Sequence, residues 1–408
     1  MTGAPISRQT AALMELMAPL MRFFTQSRWS DRQGAPGISD FVAGNPQEPP
    51  LPAFVDALQR WTEPKDNQWF AYKPNDPGAR AAVAESLRRR RGMPFEDEDI
   101  FLTNGAFAAL AIAMRAVADP GDEIVYISPP WFFYESMIQF SGAVPVRVDV
   151  KPPAFDLDLD AIAKAITPRT RAIIVNSPHN PTGRIYPPQV LAALADLLTE
   201  ASNRQGRPIY LLSDEAYHRI LFDGRAYPSP TEHYPYSFLI YTWAKTLLTP
   251  GQRLGYIALP PTMPDRERLR GAIFMTQIVG GFLFPNAVLQ YAVGELDDLS
   301  IDIGHLQKKR DLMVGALRDA GYELGTPEGT FYLLPRSPIP DDIAFTEQLA
   351  ERDVFVLPGA LVELPGYFRI SLTGNDQMIE RALPVFASAL QGARGHEPEG
   401  APIPSIPS

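Results

Sequence analysis

The chain contains no cysteine among its 408 residues. Disulfide bonds, a thiolate nucleophile and cysteine-ligated metals are therefore all excluded. The five histidines form no metal-ligand spacing such as H-E-x-x-H; they are His179, His218, His233, His305 and His396. The sequence thus favours chemistry that depends neither on sulfur nor on a bound metal.

Several common functional motifs are also missing. There is no P-loop, no G-x-G-x-x-G, no G-x-S-x-G elbow and no apolar run as long as a membrane span. With 37 basic and 47 acidic residues, the net charge of −10 argues against a general binder of nucleic acid. Residues 11–24 are apolar, but a glutamate, a proline and an arginine interrupt them, which predicts an amphipathic helix rather than a signal peptide. We expect a cytoplasmic protein that binds neither nucleic acid nor membrane.

What the sequence does contain is a long alternation of strands and helices between residues 99 and 260. Seven apolar segments predict strands, at 100–103, 123–127, 144–149, 171–175, 209–212, 238–242 and 254–259. Near-continuous apolar strands separated by helices are typical of a mostly parallel sheet with helices on both faces. After residue 262, four helices and several short strands predict a second, smaller α+β domain.

The length of 408 residues suits two or three domains. We predict an N-terminal arm with part of the small domain at 1–50, a large cofactor-binding domain at 51–290 and the rest of the small domain at 291–392. The segment 393–408 is rich in Gly, Pro and Glu and predicts a disordered tail.

The most informative stretch is 238–255, in which Lys245 directly follows a predicted buried strand. An ammonium group loses hydration there, and burial favours the neutral amine, the nucleophilic form that Schiff-base chemistry requires. Thr242, Lys245 and Arg253 bring a hydroxyl, an amine and a guanidinium near one point, a set suited to a phosphate and an aldehyde. The alternative is a solvated surface lysine, since most lysines are of that kind.

Other polar groups also follow predicted strands, where ligands of parallel sheets bind. Asn104-Gly105 opens a helix whose N-terminal N–H groups suit a phosphate, although every strand-to-helix turn has such groups. Two X-Pro steps and a glycine make 176–183 a rigid loop that would orient the Asn180 amide, or else a structural turn. Asp214 ends a buried strand and requires a cation such as a protonated ring nitrogen, unless it caps the next segment.

Aromatic and basic side chains complete the candidate set. Trp131 follows two prolines and would stack on a flat ring, with core packing as the alternative. Tyr217 lies three residues after Asp214 and would reach the same ligand. Arg369 lies in an apolar strand, where a guanidinium usually binds a carboxylate, but a structural ion pair would look the same. The aromatic loop 69–78 suggests an interface, a ligand site or a satellite hydrophobic cluster.

In this order and combination, the motifs closely resemble those of class I and II aminotransferases, pyridoxal 5′-phosphate enzymes that share the aspartate aminotransferase fold. The motifs are Tyr72…Gly78, Thr103-Asn104-Gly105, Trp131, Asn180-Pro181-Thr182-Gly183, Asp214-Glu215-Ala216-Tyr217, Thr242-x-x-Lys245, Arg253 and Arg369. The resemblance covers roughly residues 40–390. It implies an α/β fold: a large domain with a mostly parallel seven-stranded sheet covered by helices, and a smaller α+β domain built from both chain ends.

The resemblance also implies how the cofactor ring is bound. Lys245 would form the Schiff base with pyridoxal 5′-phosphate and later move the substrate α-proton. Asp214 would keep the pyridine nitrogen protonated, which makes the ring an electron sink. Asn180 and Tyr217 would hydrogen-bond the phenolic oxygen, and Trp131 would stack on the ring.

For the phosphate, the resemblance implies a set of binding residues from two subunits of a homodimer. From one subunit they are Gly105, Ala106, Phe107 through its backbone, Thr242 and Arg253, and from the second subunit Tyr72. The substrate α-carboxylate would bind Arg369, near the Gly44 backbone and Asn180. Two positions depart from the family pattern. Ala244 replaces a common serine and loses a polar contact, and Phe107 replaces a small or polar residue and would shape the substrate pocket.

The expected function is an aminotransferase that moves an amino group between an L-amino acid and a 2-oxo acid by a ping-pong mechanism. A lyase, cyclase or decarboxylase on the same scaffold is the second possibility. A cofactor-binding sensor domain is the third, and the absence of a basic DNA-binding module before residue 40 disfavours it. Several aromatic residues hint at an apolar or aromatic pocket: Trp69, Phe70, Phe107, Trp131, Phe132, Phe282 and Phe284.

Overall fold

The computed structural model describes residues 5–394. Its strands are β1 (Ser39–Asp40), β2 (Ile100–Thr103), β3 (Glu123–Ser128), β4 (Val144–Asp149), β5 (Thr170–Asn176), β6 (Tyr210–Asp214), β7 (Ser237–Thr242), β8 (Gly255–Ala258), β9 (Tyr332–Leu333), β10 (Val354–Phe355), β11 (Leu357–Pro358) and β12 (Phe368–Ser371). Its α-helices are α1 (Arg8–Gln26), α2 (Arg28–Arg32), α3 (Pro52–Thr62), α4 (Pro77–Arg91), α5 (Gly105–Val117), α6 (Tyr134–Ser141), α7 (Leu159–Ala165), α8 (Pro188–Gln205), α9 (Trp243–Thr246), α10 (Arg266–Val279), α11 (Ala287–Leu296), α12 (Ile303–Ala320), α13 (Asp342–Ala350) and α14 (Asp376–Arg394).

The seven strands predicted between residues 99 and 260 form one sheet, in the order β2-β8-β7-β6-β5-β3-β4. Strand β8 runs antiparallel to both of its neighbours, and every other pair in the sheet is parallel. The predicted mostly parallel, seven-stranded sheet is therefore confirmed.

Helices cover both faces of this sheet because successive side chains of a strand point to opposite faces. Ile124 and Ile174 pack in a core with α5, α6 and α10, while their neighbours Val125 and Ile173 pack in a core with α7 and α8. Strands β2, β7 and β8 contribute to a third core with α3, α4 and α11. Burial on both faces explains why these strands are apolar at nearly every position.

A smaller α+β layer packs beside the large sheet. Strands β11, β12 and β9 form an antiparallel sheet, and β1 pairs in parallel with β10. Phe41 from the N-terminal segment lies in the same core as residues of α12, α13 and α14, so both ends of the chain contribute to this layer. The division of the chain into domains stays a prediction, and its border at 290/291 falls within α11. Of the predicted disordered tail, 393 and 394 belong to α14, and 395–408 lie outside the described residues.

Four helices were not foreseen from the sequence: α2, α7, α9 and α13. Both α7 and α13 begin with an aspartate cap, in which Asp158 accepts from the Ala161 N–H and Asp341 accepts from the Ala344 N–H, each at 2.9 Å. These helices are only 7 and 9 residues long, so their apolar period is hard to recognise in sequence. Among residues 5–394, no helix is both long and apolar enough to cross a membrane.

The register of the sheet gathers polar residues at one edge. Asn176 of β5 is level with Asp214 of β6, and Asp214 is level with Ile240 of β7. Thr242 of β7 and Thr103 of β2 both pair with Gly255, the first residue of β8. The carboxyl ends of β5, β6, β7 and β2 therefore meet around the start of β8.

Candidate active site

A cavity lies at this edge, between the large sheet and strand β12. Most of the predicted site residues line it: Gly44, Ala106, Phe107, Trp131, Asn180, Asp214, Tyr217, Thr242, Lys245, Arg253 and Arg369. Gly105 lies directly beside the side chains of Arg253 and Thr242. Tyr72 does not line the cavity; its side chain is 82% exposed and packs on Phe284, with 4.7 Å between ring centroids.

Lys245 lies in α9, the single helical turn that follows β7. The Thr242 hydroxyl accepts a hydrogen bond from the Ala244 N–H at 3.3 Å, which stabilises this turn and directs the chain along the cavity. The Lys245 amine lies 5.8 Å from the ring centroid of Tyr217 and 5.9 Å from that of Phe331. The residue is half-buried rather than fully buried as expected from its position at a strand end, because it opens into the cavity.

Asp214 is the buried carboxylate of the site. Its Oδ2 accepts a hydrogen bond from the Tyr134 hydroxyl at 2.6 Å, and its Oδ1 accepts from the Ala216 N–H at 3.2 Å. Burial raises the pKa of Asp214 above its ordinary value, although the two hydrogen bonds and the charge of Lys245 act in the opposite direction. The capping alternative is thus partly realised, but the group still faces the cavity without an ion-pair partner among the described residues.

Arg369 lies in the middle of the smaller sheet and is 2% exposed. It donates from Nη1 to Asn180 Oδ1 and from Nη2 to the Val42 carbonyl, both at 3.0 Å. Its Nε is buried without a hydrogen-bond partner in the part of the chain that the structure describes. No carboxylate of residues 5–394 forms an ion pair with Arg369, so the predicted structural alternative is not found. A buried guanidinium in this state is a binding site for an anion that the protein itself does not supply.

The loop that follows β5 holds Asn180 in place through Asn176. The Asn180 N–H donates to Asn176 Oδ1 at 2.7 Å, and Asn176 Nδ2 donates to the Asp214 carbonyl at 2.8 Å. Arg369, Asn180, Asn176 and Asp214 therefore form one continuous polar chain. This chain links the smaller sheet to the carboxyl edge of the large sheet.

Glycine at position 105 leaves room for an anion at the start of α5. Gly105 has φ +80°, and a Cβ built on it would lie 2.6 Å from Arg253 Nη2 and 3.5 Å from Thr242 Oγ1. Asn104, the residue before the helix, makes no capping hydrogen bond with its side chain. The first N–H groups of α5 therefore receive no cap from the Asn104 side chain, and they lie beside a guanidinium and a hydroxyl. This arrangement suits a phosphate.

Tyr217 and Tyr332 are neighbouring phenols of the cavity wall, with 6.0 Å between their ring centroids. Burial raises the pKa of Tyr217 well above its ordinary value. Burial acts in the same direction on Tyr332, but the charges of Arg369 and Lys245 outweigh it and lower the pKa of that phenol. Gly44 packs against Tyr332 so closely that a Cβ would lie 2.8 Å from the Tyr332 hydroxyl.

Sequence reasoning missed Tyr134, Tyr332 and Phe24. The signal for Tyr134 was its position three residues after Trp131, whereas nothing local connects Phe24 or Tyr332 with the cavity. Of the aromatic residues expected around the pocket, Phe107, Trp131 and Phe132 line the cavity. The remainder, Trp69, Phe70, Phe282 and Phe284, do not line it. Trp69 instead stacks on Tyr291 at 4.0 Å, in the satellite cluster given above as an alternative.

At the carboxyl ends of the mostly parallel sheet, the cavity brings together an amine, a buried carboxylate and two guanidinium groups that form no ion pair with any residue of 5–394. This arrangement defines an α/β enzyme site for an anionic ligand. Residues 37–386 match the family described as aminotransferase class I and II. The aspartate/prephenate aminotransferase of Thermus thermophilus is 32% identical over 373 residues, which cover 88% of this chain and 92% of the relative.

Solved structures agree with the sequence comparison. An amino transferase from Eubacterium rectale has a TM-score of 0.86 at 29% identity, covering 96% of this chain and 100% of that chain. The aspartate aminotransferase from Thermus thermophilus with maleate has a TM-score of 0.78 at 30% identity, covering 95% and 100%. The chain belongs to the class I and II aminotransferase family, and it is a pyridoxal 5′-phosphate-dependent aminotransferase. The predicted family, cofactor and reaction class are thereby confirmed, and the lyase, cyclase or decarboxylase alternative is not favoured.

The residues of the cavity fit this cofactor in two respects. The space that a Cβ at Gly105 would fill, beside Arg253 and Thr242, suits a phosphate group. Asp214 is a buried carboxylate without an ion-pair partner in the described chain, and a protonated pyridine nitrogen is a cation of the right kind to face it.

Proposed function

We propose that Lys245 binds the cofactor covalently and moves the proton of the substrate α-carbon. When bound, pyridoxal phosphate supplies an aldehyde that bonds to amines and a ring that withdraws electrons from the α-carbon. Lys245 suits both tasks because its amine faces the cavity and has no ion-pair partner among residues 5–394. The aromatic rings of Tyr217 and Phe331 near it limit the access of water.

Asp214 would hold a proton on the pyridine nitrogen. Its own burial makes an uncompensated negative charge costly, so a cation facing it lowers the energy of the site. The Tyr134 hydroxyl orients the carboxylate, and Trp131 would stack on the ring. Asn180 and Tyr217 would donate to the phenolic oxygen; for Asn180, Nδ2 is free to do so because Oδ1 already accepts from Arg369.

The phosphate would lie at the start of α5. The backbone N–H groups of Gly105, Ala106 and Phe107 would donate to it, together with Thr242 and Arg253. The positive end of the helix dipole and the guanidinium favour the same negative charge.

Arg369 would bind the substrate α-carboxylate. The observation that supports this site most strongly is the burial of Arg369 without an anionic partner among the described residues. It is buried, charged and without an anionic partner in the described chain, and its Nε is still free to donate. Gly44 and Asn180 flank this position. A single carboxylate site of this kind serves an amino acid and a 2-oxo acid in turn, as a ping-pong mechanism requires.

The half-reaction tests this function directly. Holoenzyme mixed with one L-amino acid, and no 2-oxo acid, should convert the cofactor from its aldehyde to its amine absorbance spectrum. Release of ammonia without that conversion would instead identify a lyase. Turnover that requires both substrates in one complex would contradict the ping-pong mechanism.

We also propose a homodimer in which Tyr72 of each subunit reaches the phosphate of the other. Its 82% exposure and its place on a surface formed with Phe284 support this role. A hybrid dimer of Tyr72→Ala and Lys245→Ala subunits would contain one intact site if Tyr72 acts across the interface. The hybrid dimer should then bind cofactor at its one intact site as tightly as the wild type does. If Tyr72 instead acts within its own subunit, both sites of the hybrid dimer would be defective.

The relatives named for aspartate and prephenate make amino acids and 2-oxo acids the general substrates to test first. We place the reaction in the cytoplasm, where free amino acids and 2-oxo acids occur together. Fractionation of the source cells would test that location, and recovery of the protein outside the cytoplasmic fraction would contradict it.

A further inference from the structure

The cavity holds few positive charges. Three basic side chains line it: Lys245, Arg253 and Arg369. The proposed function uses all three, for covalent binding, phosphate and α-carboxylate respectively. In the part of the chain that the structure describes, no fourth basic side chain lines the cavity to pair with a second carboxylate of a substrate.

Four aromatic side chains also line the cavity: Phe24, Phe107, Trp131 and Phe132. Phe24 of α1 lies 6.1 Å from Phe132, and Phe132 lies 6.4 Å from Trp131, measured between ring centroids. Phe107 meets Trp131 edge to face at 5.0 Å and is 39% exposed. If Trp131 covers the cofactor ring, Phe24, Phe107 and Phe132 are left to contact a substrate side chain.

This aromatic wall begins beside the proposed carboxylate site. The Arg369 guanidinium carbon lies 5.9 Å from the ring centroid of Phe132 and 4.1 Å from that of Tyr332. A substrate held through its α-carboxylate at Arg369 therefore brings its side chain within reach of Phe132 and Phe24. A second carboxylate there would lose hydration without gaining a counterion from the described residues of the same subunit, whereas an apolar group would be buried favourably.

We propose that this aminotransferase prefers amino acids with an uncharged apolar or aromatic side chain over dicarboxylic amino acids. The proposal rests on the function above, in which Arg369 holds the α-carboxylate. It separates this chain from the Thermus thermophilus relatives, one named for aspartate and prephenate and one solved with maleate. Phe24 and Phe132 would be the side chains that determine the preference.

Single-turnover half-reactions test the proposal. Holoenzyme is mixed separately with L-phenylalanine, L-leucine, L-aspartate and L-glutamate, and conversion of the cofactor spectrum is followed over a range of concentrations. The apparent second-order rate constant for phenylalanine or leucine should exceed that for aspartate by about 100-fold, the scale on which pockets discriminate. A rate for aspartate or glutamate equal to or above these would overturn the proposal and leave the aminotransferase function intact. No conversion by any amino acid would overturn both.

Two variants assign the preference to the wall. Phe24→Arg supplies the missing cation and should raise the rate with aspartate and lower the rate with phenylalanine, each by about tenfold. Met21→Arg is the matched control, because Met21 lies on the same helix, is 49% exposed and does not line the cavity. Phe132→Ala should reduce the rate with phenylalanine more than the rate with L-alanine. Equal reductions for both substrates, or equal effects of the two arginine variants, would contradict the role of the wall.

Discussion

Replacement of Arg369 by lysine tests how the substrate is held. Arginine donates to Asn180 and to the Val42 carbonyl and keeps its Nε free, whereas lysine keeps the charge but cannot reach all of these acceptors and a carboxylate together. Each lost hydrogen bond to a charged group is worth about 1.5–3 kcal/mol. We expect a loss of ~3 kcal/mol in transition-state binding, or roughly 100-fold in kcat/KM at ~1.4 kcal/mol per tenfold.

The assay compares an amino acid with the primary amine that lacks its carboxylate. In the wild type the amino acid should react far faster, and in Arg369→Lys this preference should fall by roughly 100-fold while the slow reaction of the amine is nearly unchanged. Arg336→Lys is the control, because that arginine is exposed and pairs with Glu323 at 3.0 Å on the surface. If the variant loses activity equally towards the amine, the arginine does not recognise the carboxylate.

Three further predictions follow from the cofactor site and its surroundings. Gly105→Ala should weaken cofactor binding at least about tenfold, because a non-glycine residue at positive φ costs ~1–2 kcal/mol and the added Cβ displaces Arg253. Gly92→Ala is the control, since Gly92 has a similar φ of 66° but open space around it. That control should leave the cofactor affinity, measured by absorbance titration, unchanged. Tyr134→Phe removes a hydrogen bond that lowers the pKa of Asp214 and leaves the carboxylate less compensated, so the pyridine nitrogen facing it should keep its proton to higher pH in a spectral titration. An unmoved titration would disprove this. Burial lowers the pKa of His179 to about 3, so His179 stays neutral in the fold while the unfolded chain gains a proton below about pH 6.5. The free energy of unfolding should therefore fall as the pH drops from 6.5 towards 3, and this group should contribute roughly 2 kcal/mol of that loss at pH 5. In urea unfolding, the difference in free energy of unfolding between pH 7.5 and pH 5 should be smaller for His179→Gln than for the wild type.

Much of the site could be predicted because each residue lies in a recognisable local pattern. Lys245 and Asp214 each follow a short apolar strand, and parallel strands end at the same edge of a sheet. The register confirms that this edge is shared, since Asn176, Asp214 and Ile240 are level. Local sequence and one topological rule were therefore enough to bring these side chains together.

The remaining features depend on contacts between segments far apart in the chain. Phe24 reaches the cavity only because α1 packs against α6, and neither helix carries a local signal for that contact. Tyr332 gains its unusual environment from Arg369 and Lys245, which come from two other parts of the sequence. The half-burial of Lys245 likewise depends on the shape of the cavity and not on its position after β7.

The proposed active site depends above all on Lys245 as the residue that carries the cofactor. Reduction of the holoenzyme with borohydride, followed by proteolysis and mass spectrometry, identifies the lysine that is bonded to pyridoxal phosphate. We expect the label on Lys245, together with loss of turnover in Lys245→Ala. A label on any other lysine would contradict the account.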